Sequence, residues 1–384
     1  MLPSCLSDSV FRGTVGCAAI VTCISSDSRY VLYTYGYPQP TNDVGYEIFD
    51  TACGKLTSIF SGPSNSDDGY VGAGAVADPS FSMLAVVDGN LQNLRIRIGS
   101  LNYSGQNVAF TVTNTFYIEG LAPPESAFVY VTYINGYVVI LFNKVDGNYY
   151  LAAFTAYQQV MAPSLVVTVP SGKILYNNSF SGFCINGVTY VTFATILGGV
   201  ADQNLATQLT EPSYLNIYSI GPVPIQVARV QLPQFGNYVS VYNGPDYANI
   251  AVSLRATYLP GQPSFATDTS NQMSLDGQIG NLRVYKFDGC NISLIACVNL
   301  ASEVVVGGWH PNGLIIPTFY NVPIEGVNPP VVFNYLQLPN LTCVGYPVMG
   351  PPFSFGSSIS PDGKKLFVGS YFAVEGFNNI VLYT

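Results

Sequence analysis

Charged residues are scarce in this chain of 384 residues: they make up 9% of it, whereas about 25% is usual for a soluble domain. The chain has 13 Lys and Arg against 22 Asp and Glu, and its formal net charge is −9. Such a chain lacks the basic surface that nucleic acids require, and we exclude nucleic acid as a partner. The single histidine argues against a Cys/His zinc site.

Long apolar runs are also missing. The segment 137–142 (YVVILF) has the length of a strand, whereas a membrane-spanning helix needs about 18 or more apolar residues. We therefore expect no transmembrane segment. The first 13 residues lack the basic and apolar regions of a signal peptide. Eight cysteines are too few for a disulfide-dense scaffold, and we expect Cys23 and Cys184, which fall in predicted strands, to be reduced and buried.

Aromatic residues and turn-forming residues are abundant instead. The chain contains 28 Tyr, 22 Phe, 37 Gly and 26 Pro, and 48% of its residues are hydrophobic. Short apolar runs rich in β-branched and aromatic residues alternate with Gly and Pro throughout. This composition predicts an all-β protein.

A strand–turn–strand unit recurs seven times, with roughly 50 to 65 residues between successive turns. A third and a fourth short strand follow in most units, which is the pattern of a β-propeller. The turns lie at 25–28, 78–80, 135–136, 186–187, 244–246, 311–313 and 361–363.

The best-formed turn carries a resemblance to a known group. Residues 360–368 read SPDGKKLFV, which resembles the S-P-D-G-K-x-L-[YF]-V signature of YVTN-type and WD-like repeat propellers, a group that includes seven-bladed lactonases. Residues 25–31 are a weaker match. The resemblance implies a propeller fold but no particular function.

The two ends of the chain predict how the ring closes. The last unit stops after its third strand, and a strand-like segment, 9–15, precedes the first unit. We expect this segment to supply the missing outer strand, which removes the unpaired edges of an open array. The prediction is one seven-bladed propeller domain, 1–384, closed by residues 1–15. Its blades are predicted at about 16–61, 70–118, 126–170, 181–232, 238–300, 303–349 and 353–384.

The connections of such a propeller fall into two sets, and acidic residues concentrate in the longer set. We predict a partner-binding face formed by the loops between second and third strands and between blades. Loops are also where charges commonly lie, which is the competing interpretation. The candidate binding residues are Asp43, Asp67, Asp68, Asp202, Glu211, Asp268, Asp276, Glu325 and Glu375. We also place Asp88, Glu119, Glu125, Asp146 and Glu303 on this face, with Lys144 and Lys173 as its bases.

Few residues suggest catalysis or a cofactor. His310 could act as a base or a ligand, but it precedes a Pro-Asn-Gly turn, which favours a packed turn residue beside Trp309. Asp67 and Asp68 lie in an oxygen-rich segment suited to calcium, yet that segment lacks the spacing of an EF-hand loop. No catalytic residue, nucleotide motif or required cofactor is predicted.

The favoured function is therefore non-enzymatic. We expect a structural or interaction module on a virion, a cell surface or an extracellular assembly, binding a protein, or alternatively a glycan, through its acidic face. The alternative is a lactonase-like or other hydrolytic propeller with a metal ion at the mouth of its channel.

Overall fold

Strands and turns make up the computed structural model of the chain, and no helix occurs among the residues that it describes. Those residues divide into two compact units, Pro3–Val167 with Ser354–Thr384, and Thr168–Phe353. The described ranges are 9–13, 18–36, 44–62, 71–89, 93–105, 107–121, 129–170, 173–176, 180–199, 213–232, 235–255, 282–298, 303–320, 331–350, 354–370 and 380–383.

The first unit contains four antiparallel sheets. Three of them are meanders of four consecutive strands, and the fourth joins strands from both ends of the chain. The first meander is β2 (Ala18–Ile24), β3 (Tyr30–Gly36), β4 (Val44–Asp50) and β5 (Lys55–Gly62). The second is β6 (Val71–Ala77), β7 (Met83–Gly89), β8 (Asn93–Ser104) and β9 (Asn107–Glu119). The third is β10 (Val129–Ile134), β11 (Tyr137–Asn143), β12 (Tyr149–Phe154) and β13 (Gln159–Val167).

The second unit contains three sheets, of which the first is irregular. Its strands are β14 (Lys173–Tyr176), β15 (Ser181–Ile185), β16 (Val188–Gly199), β17 (Ser213–Ser219) and β18 (Ile225–Leu232). The next sheet is β19 (Phe235–Asn243), β20 (Ala248–Arg255), β21 (Leu282–Phe287) and β22 (Ile292–Val298). The last is β23 (Glu303–Trp309), β24 (Ile315–Tyr320), β25 (Val331–Gln337) and β26 (Thr342–Gly350).

The two ends of the chain meet in one sheet, as the sequence predicts. Its order is β1 (Ser9–Gly13), β29 (Ile380–Tyr383), β28 (Leu366–Ser370) and β27 (Ser354–Ile359). Strand β1 pairs antiparallel with β29, with Arg12 opposite Val381 and Gly13 opposite Ile380. The outer position of this sheet is thus filled by the start of the chain.

The all-β propeller class is confirmed, but the prediction of seven blades needs correction. Five of the seven sheets are regular blades of four consecutive strands. One of the other two is the sheet formed by both chain ends. In the remaining sheet, β15 pairs with the first half of β16 and β14 with its second half, so that two short strands share the innermost position.

Turn residues explain why the strands reverse where they do. Asn135 and Gly136 have φ values of 49° and 85°, so the β10–β11 hairpin turns with both central residues in the left-handed region. Asn and Gly are the residues that adopt this geometry at least cost. Gly363, with φ of 73°, also lies in the left-handed region, in the Pro-Asp-Gly turn between β27 and β28.

The inner strands are buried on both faces, which is why they read as continuous apolar runs. In β7, Val86 packs in a cluster with Leu32 and Ile48 of the preceding sheet, whereas Val87 packs with Val138 and Ile140 of the following one. The same alternation occurs in the second unit, where Ile250 and Ala251 of β20 belong to different clusters. Neighbouring sheets in each unit therefore pack face to face.

We predict that deletion of residues 1–15 exposes the edge of β29, destabilises the last sheet and causes association between chains. Thermal unfolding followed by light scattering should show a lower midpoint and aggregation at temperatures where the full chain is soluble. A synthetic peptide of residues 1–15 should restore part of the loss. A truncated protein that stays soluble with an unchanged midpoint would contradict the role given to β1.

Candidate functional site

One end of each unit, which we call the turn end, gathers the turns between first and second strands and between third and fourth strands. Asp27 accepts hydrogen bonds from Ser25 Oγ at 2.5 Å and from the Arg29 amide at 3.0 Å. Asp362 is bonded in the same way by Ser360 Oγ and the Lys364 amide. These aspartates hold their own turns closed, which is the usual function of Asp at such positions.

Hydrogen bonds also join the turn ends of neighbouring sheets. In the first unit, the Ser26 amide donates to the Pro79 carbonyl at 2.6 Å, and Lys365 Nζ donates to the Ser28 carbonyl at 2.9 Å. In the second unit, the Tyr242 hydroxyl donates to the Pro311 carbonyl at 3.1 Å. Some polar groups of the turn end therefore hold neighbouring sheets together.

Arg29 and Asp50 form the best-defined ion pair of the turn end. The guanidinium donates to both carboxylate oxygens, at 3.1 Å from Nε and 2.8 Å from the terminal nitrogen. These bonds from Arg29, with a further bond from the Ala52 amide, lower the pKa of Asp50 although partial burial opposes them. Arg29 also lies 4.8 Å from the centre of the Tyr30 ring.

The opposite end of each unit, which we call the loop end, is where second strands end and third strands begin. The predicted binding residues belong to the connections that leave from there. All nine, namely Asp43, Asp67, Asp68, Asp202, Glu211, Asp268, Asp276, Glu325 and Glu375, lie outside the described residues, as does Glu125. Their role as a binding site, and calcium binding by Asp67 and Asp68, therefore stay predictions.

The connection between β11 and β12 shows part of the loop end in detail. The Tyr150 hydroxyl donates to Asp146 Oδ2 at 2.6 Å, and Lys144 Nζ lies 4.9 Å from the centre of the Tyr150 ring. Slight burial opposes ionisation of Asp146, but the bonds from Tyr150 and Asn148 outweigh it and lower the pKa. Val145 between them is 70% exposed. This is a small surface with an anion, a cation, an aromatic ring and an apolar side chain.

Asp88, assigned by sequence to the acidic loops, is instead completely buried in β7. Arg95 donates to its carboxylate at 3.0 Å and 2.9 Å, and Arg97 donates at 2.6 Å. Strand β7 continues through Asp88 to Gly89, so Asp88 does not lie in a loop. Asp88 stays in the strand because Arg95 lies directly opposite it in β8, and Arg97 follows on the same face.

The ion pairs of Asp88 with Arg95 and Arg97 also correct the prediction that acidic residues concentrate in the loops, apart from most bases. Two bases lie beside an acid where the sequence suggested acids almost alone, and the side chains of Arg95 and Arg97 are 15% and 19% exposed. The alternation of Arg and Ile in LRIRI of β8 could have indicated this cluster, because a strand places Arg95 and Arg97 on one face. The bonds of Asp88 with Arg95 and Arg97 thus connect β7 to β8.

His310 is a packed turn residue. It is 6% exposed, and its Nδ1 accepts a hydrogen bond from the Asn312 amide at 3.1 Å. Its ring meets that of Tyr335 edge-on at 5.8 Å. Burial raises the pKa of Tyr335 to about 12. Among the described residues, no group of three or more His, Cys, Asp or Glu side chains is placed to hold a metal ion.

Cys23 and Cys184 are free thiols and partly buried, and burial raises the pKa of Cys23 to about 12. In the described part of the chain, no helix has the length and hydropathy needed to cross a membrane.

Solved structures with the same fold come from proteins of different kinds. The Cps50 (Swd1) β-propeller domain of Myceliophteria thermophila gives a TM-score of 0.58 at 8% identity, over 98% of both chains. A polysaccharide lyase named PL25 ulvan lyase gives 0.54 at 9% identity, over 97% of this chain and 93% of the other. A Bacteroides uniformis protein provisionally named a 6-phosphogluconolactonase gives 0.51 at 12% identity, over 93% and 90%.

These likenesses establish the propeller fold and leave the activity open, because propellers carry many unrelated functions. No family model matches the sequence, and no curated protein matches it.

We predict that Asp88→Asn lowers the free energy of unfolding by about 3 kcal/mol, because it leaves two arginines without the buried charge that they share. Urea unfolding at pH 7 measures the change. Asp246→Asn, which removes an exposed carboxylate, is the matched control and should change stability by less than about 0.5 kcal/mol. Equal effects of the two substitutions would contradict a structural role for the cluster.

We also predict a specific loss of stability in acid. The pKa of Asp50 is lowered in the folded chain, so its contribution is present above the usual value of about 3.9 and disappears as the pH falls through the lowered value. Arg29 is 45% exposed, and the contribution should stay below about 1 kcal/mol. Asp50→Asn should therefore be less stable than the parent at pH 6 and nearly equal at pH 2. A difference that does not change with pH would refute this.

Proposed function

We propose that this protein is a non-enzymatic structural or interaction module that binds a protein partner through its loop end, with a glycan as the second class of partner. The observation that carries the proposal is the topology, because the connections that contain the nine candidate acids all leave from the loop end. At the turn end, several charges and hydroxyls close turns and join sheets.

We further propose that the whole chain is one propeller domain. The two irregular sheets would serve as blades beside the five regular ones, which makes seven. Their strand arrangement supports this, because each has four strand positions from the inside to the outside. A scaffold of this kind fixes the anchor points of its long connections, which suits a binding surface built from loops.

A position on a virion, a cell surface or an extracellular assembly fits the composition. Few charges and many Tyr leave a surface suited to contacts with other proteins. Four Asn-x-Ser/Thr sequences are present, at Asn102, Asn177, Asn291 and Asn340. Asn102, Asn291 and Asn340 are exposed, as an acceptor for glycosylation must be.

A hydrolytic propeller with a metal ion is the second candidate. It is favoured by the fold that this chain shares with the lyase and with the provisionally named lactonase, and by the oxygen-rich segment around Asp67 and Asp68. Metal analysis of the purified protein separates the candidates. A stoichiometric divalent ion that is lost in the variant Asp67→Asn with Asp68→Asn would favour the enzyme.

The binding proposal predicts that acids of the loop end accelerate association. A partner captured by the purified chain from its source, and identified by mass spectrometry, should bind Asp202→Asn with Glu325→Gln several-fold more slowly at low salt. Its dissociation should change little, since exposed charges act mainly on encounter. The effect should fade as the salt concentration rises from about 0.1 M to 1 M, because the Debye length falls from about 10 Å to 3 Å.

The control is Asp246→Asn, which removes one carboxylate at the turn end and should leave the association rate unchanged. If binding is insensitive to salt and is lost instead on Lys364→Gln, the partner docks on the turn end and the proposal is wrong.

A further inference from the structure

Two polar atoms of the second unit are buried and make no hydrogen bond within the described part of the chain. They are the side-chain oxygen Oδ1 of Asn249, in β20, and the indole nitrogen Nε1 of Trp309, in β23. The two residues are 6% and 9% exposed. Leaving such atoms unpaired is costly, and most buried polar atoms in proteins bond to another residue or to a bound molecule such as water. This pair of atoms therefore points to a bound group.

Both residues lie in the space between the second and third sheets of this unit, at the turn end. Trp309, the last residue of β23, packs in one cluster with Ala251 of β20. Asn249 is two residues from Ala251 in the same strand, so both side chains are on the same face of the sheet. Asn249 is also the partner of Tyr242 in β19, and the rings of Tyr242 and Trp309 lie 5.6 Å apart. Asn249 thus has two neighbours that contact Trp309.

The chemistry of the two atoms limits what can bind them together. The indole nitrogen can only donate a hydrogen bond, and the amide oxygen can only accept one. A metal ion offers no acceptor to Trp309, and an ionised carboxylate offers no donor to Asn249. A hydroxyl group serves both, because its oxygen accepts one bond while its hydrogen donates another.

The surface edge of this space carries a cation and a further aromatic ring. Lys286 in β21 is the partner of Asn249 on its other side, and it is exposed. Its Nζ lies 4.5 Å from the centre of the Tyr247 ring. Ligand sites are commonly lined by aromatic rings together with a few polar groups that orient the ligand. The region around the indole combines aromatic rings with an amide and an ammonium group, which suits a molecule with several hydroxyl groups.

We propose that a hydroxyl group binds between Asn249 and Trp309, donating its hydrogen to Asn249 Oδ1 and accepting the hydrogen of Trp309 Nε1. The hydroxyl belongs either to a bound water molecule or to a polyhydroxylated ligand such as a saccharide. The site is at the turn end of the second unit and involves none of the nine candidate acids. It therefore does not rest on the binding function proposed for the loop end.

The first experiment detects the bound hydroxyl by NMR. Trp309 is the only tryptophan of the chain, so a nitrogen-labelled sample gives a single indole N–H signal. If water fills the site, the indole proton should show a cross-peak at the water frequency, with the sign of a dipolar contact rather than of hydrogen exchange. Asn249→Leu removes the acceptor at similar volume and should abolish this cross-peak. Asn291→Leu, which changes an exposed amide in the β21–β22 turn of the same sheet, is the control and should leave it unchanged.

The second experiment distinguishes water from a ligand hydroxyl. Glycerol, glucose and galactose are added in turn at up to about 0.1 M, which is enough to fill a site of millimolar affinity. A ligand that displaces water should shift the tryptophan fluorescence and the indole N–H signal until both saturate, and it should have no such effect on Asn249→Leu. A cross-peak to water that none of the three compounds alters assigns the hydroxyl to bound water.

Two results would overturn the proposal. The indole proton of the parent chain could show contact with neither water nor the added compounds, an outcome that needs no variant to be folded. The cross-peak could also persist in a folded Asn249→Leu variant, which would mean that the hydroxyl does not bridge the two residues.

Discussion

The pairing of β1 with β29 is the constraint on which the rest of the fold depends. Every other sheet is built from strands that lie close together in the sequence, so each can form from a local stretch of the chain. The last sheet alone needs Ser9–Gly13 and Ile380–Tyr383 together. Without β1, the sheet keeps three strands and exposes an edge. With it, the sheet has a fourth strand position, like the five regular blades.

A second constraint is the small number of charged residues in the chain. Several carboxylates of the turn end close turns or pair with bases, as Asp362 and Asp50 do. The buried Asp88 connects β7 to β8 through its ion pairs with Arg95 and Arg97. A chain with so few charged residues uses many of them as structural parts. The acids of the long connections are the basis of the proposed binding function.

The sequence predicts features that follow from local chemistry. The turns at Asn135-Gly136 and Pro361-Asp362-Gly363 are where the residues require them, because few other dipeptides adopt the needed backbone angles. The pairing of the chain ends follows from counting strands. The third strand of the third blade, β12, was not predicted, since YYLAAF lacks the alternation of a half-buried strand and is buried almost throughout.

Features that depend on a neighbouring strand could not be predicted in this way. Asp88 resembles a turn residue until Arg95 is known to lie opposite it. The division of the inner position between β14 and β15 follows from the length of β16, to which both strands pair. The β8–β9 hairpin extends beyond β7 and contacts Tyr30 and Ile59 of the preceding sheet. The predicted binding acids lie outside the described residues, so the candidate binding site stays a prediction.

Hydrogen exchange at the end of the chain tests the central claim, which is that the chain closes through its two ends. The amides of Val381 and Leu382 lie between β28 and β1. If both strands are paired in solution, exchange should be about a thousandfold slower than in an unstructured peptide, as expected for strands that open only with their sheet. Exchange at the rate of a free chain terminus would contradict the closure, and with it the assignment of the last sheet.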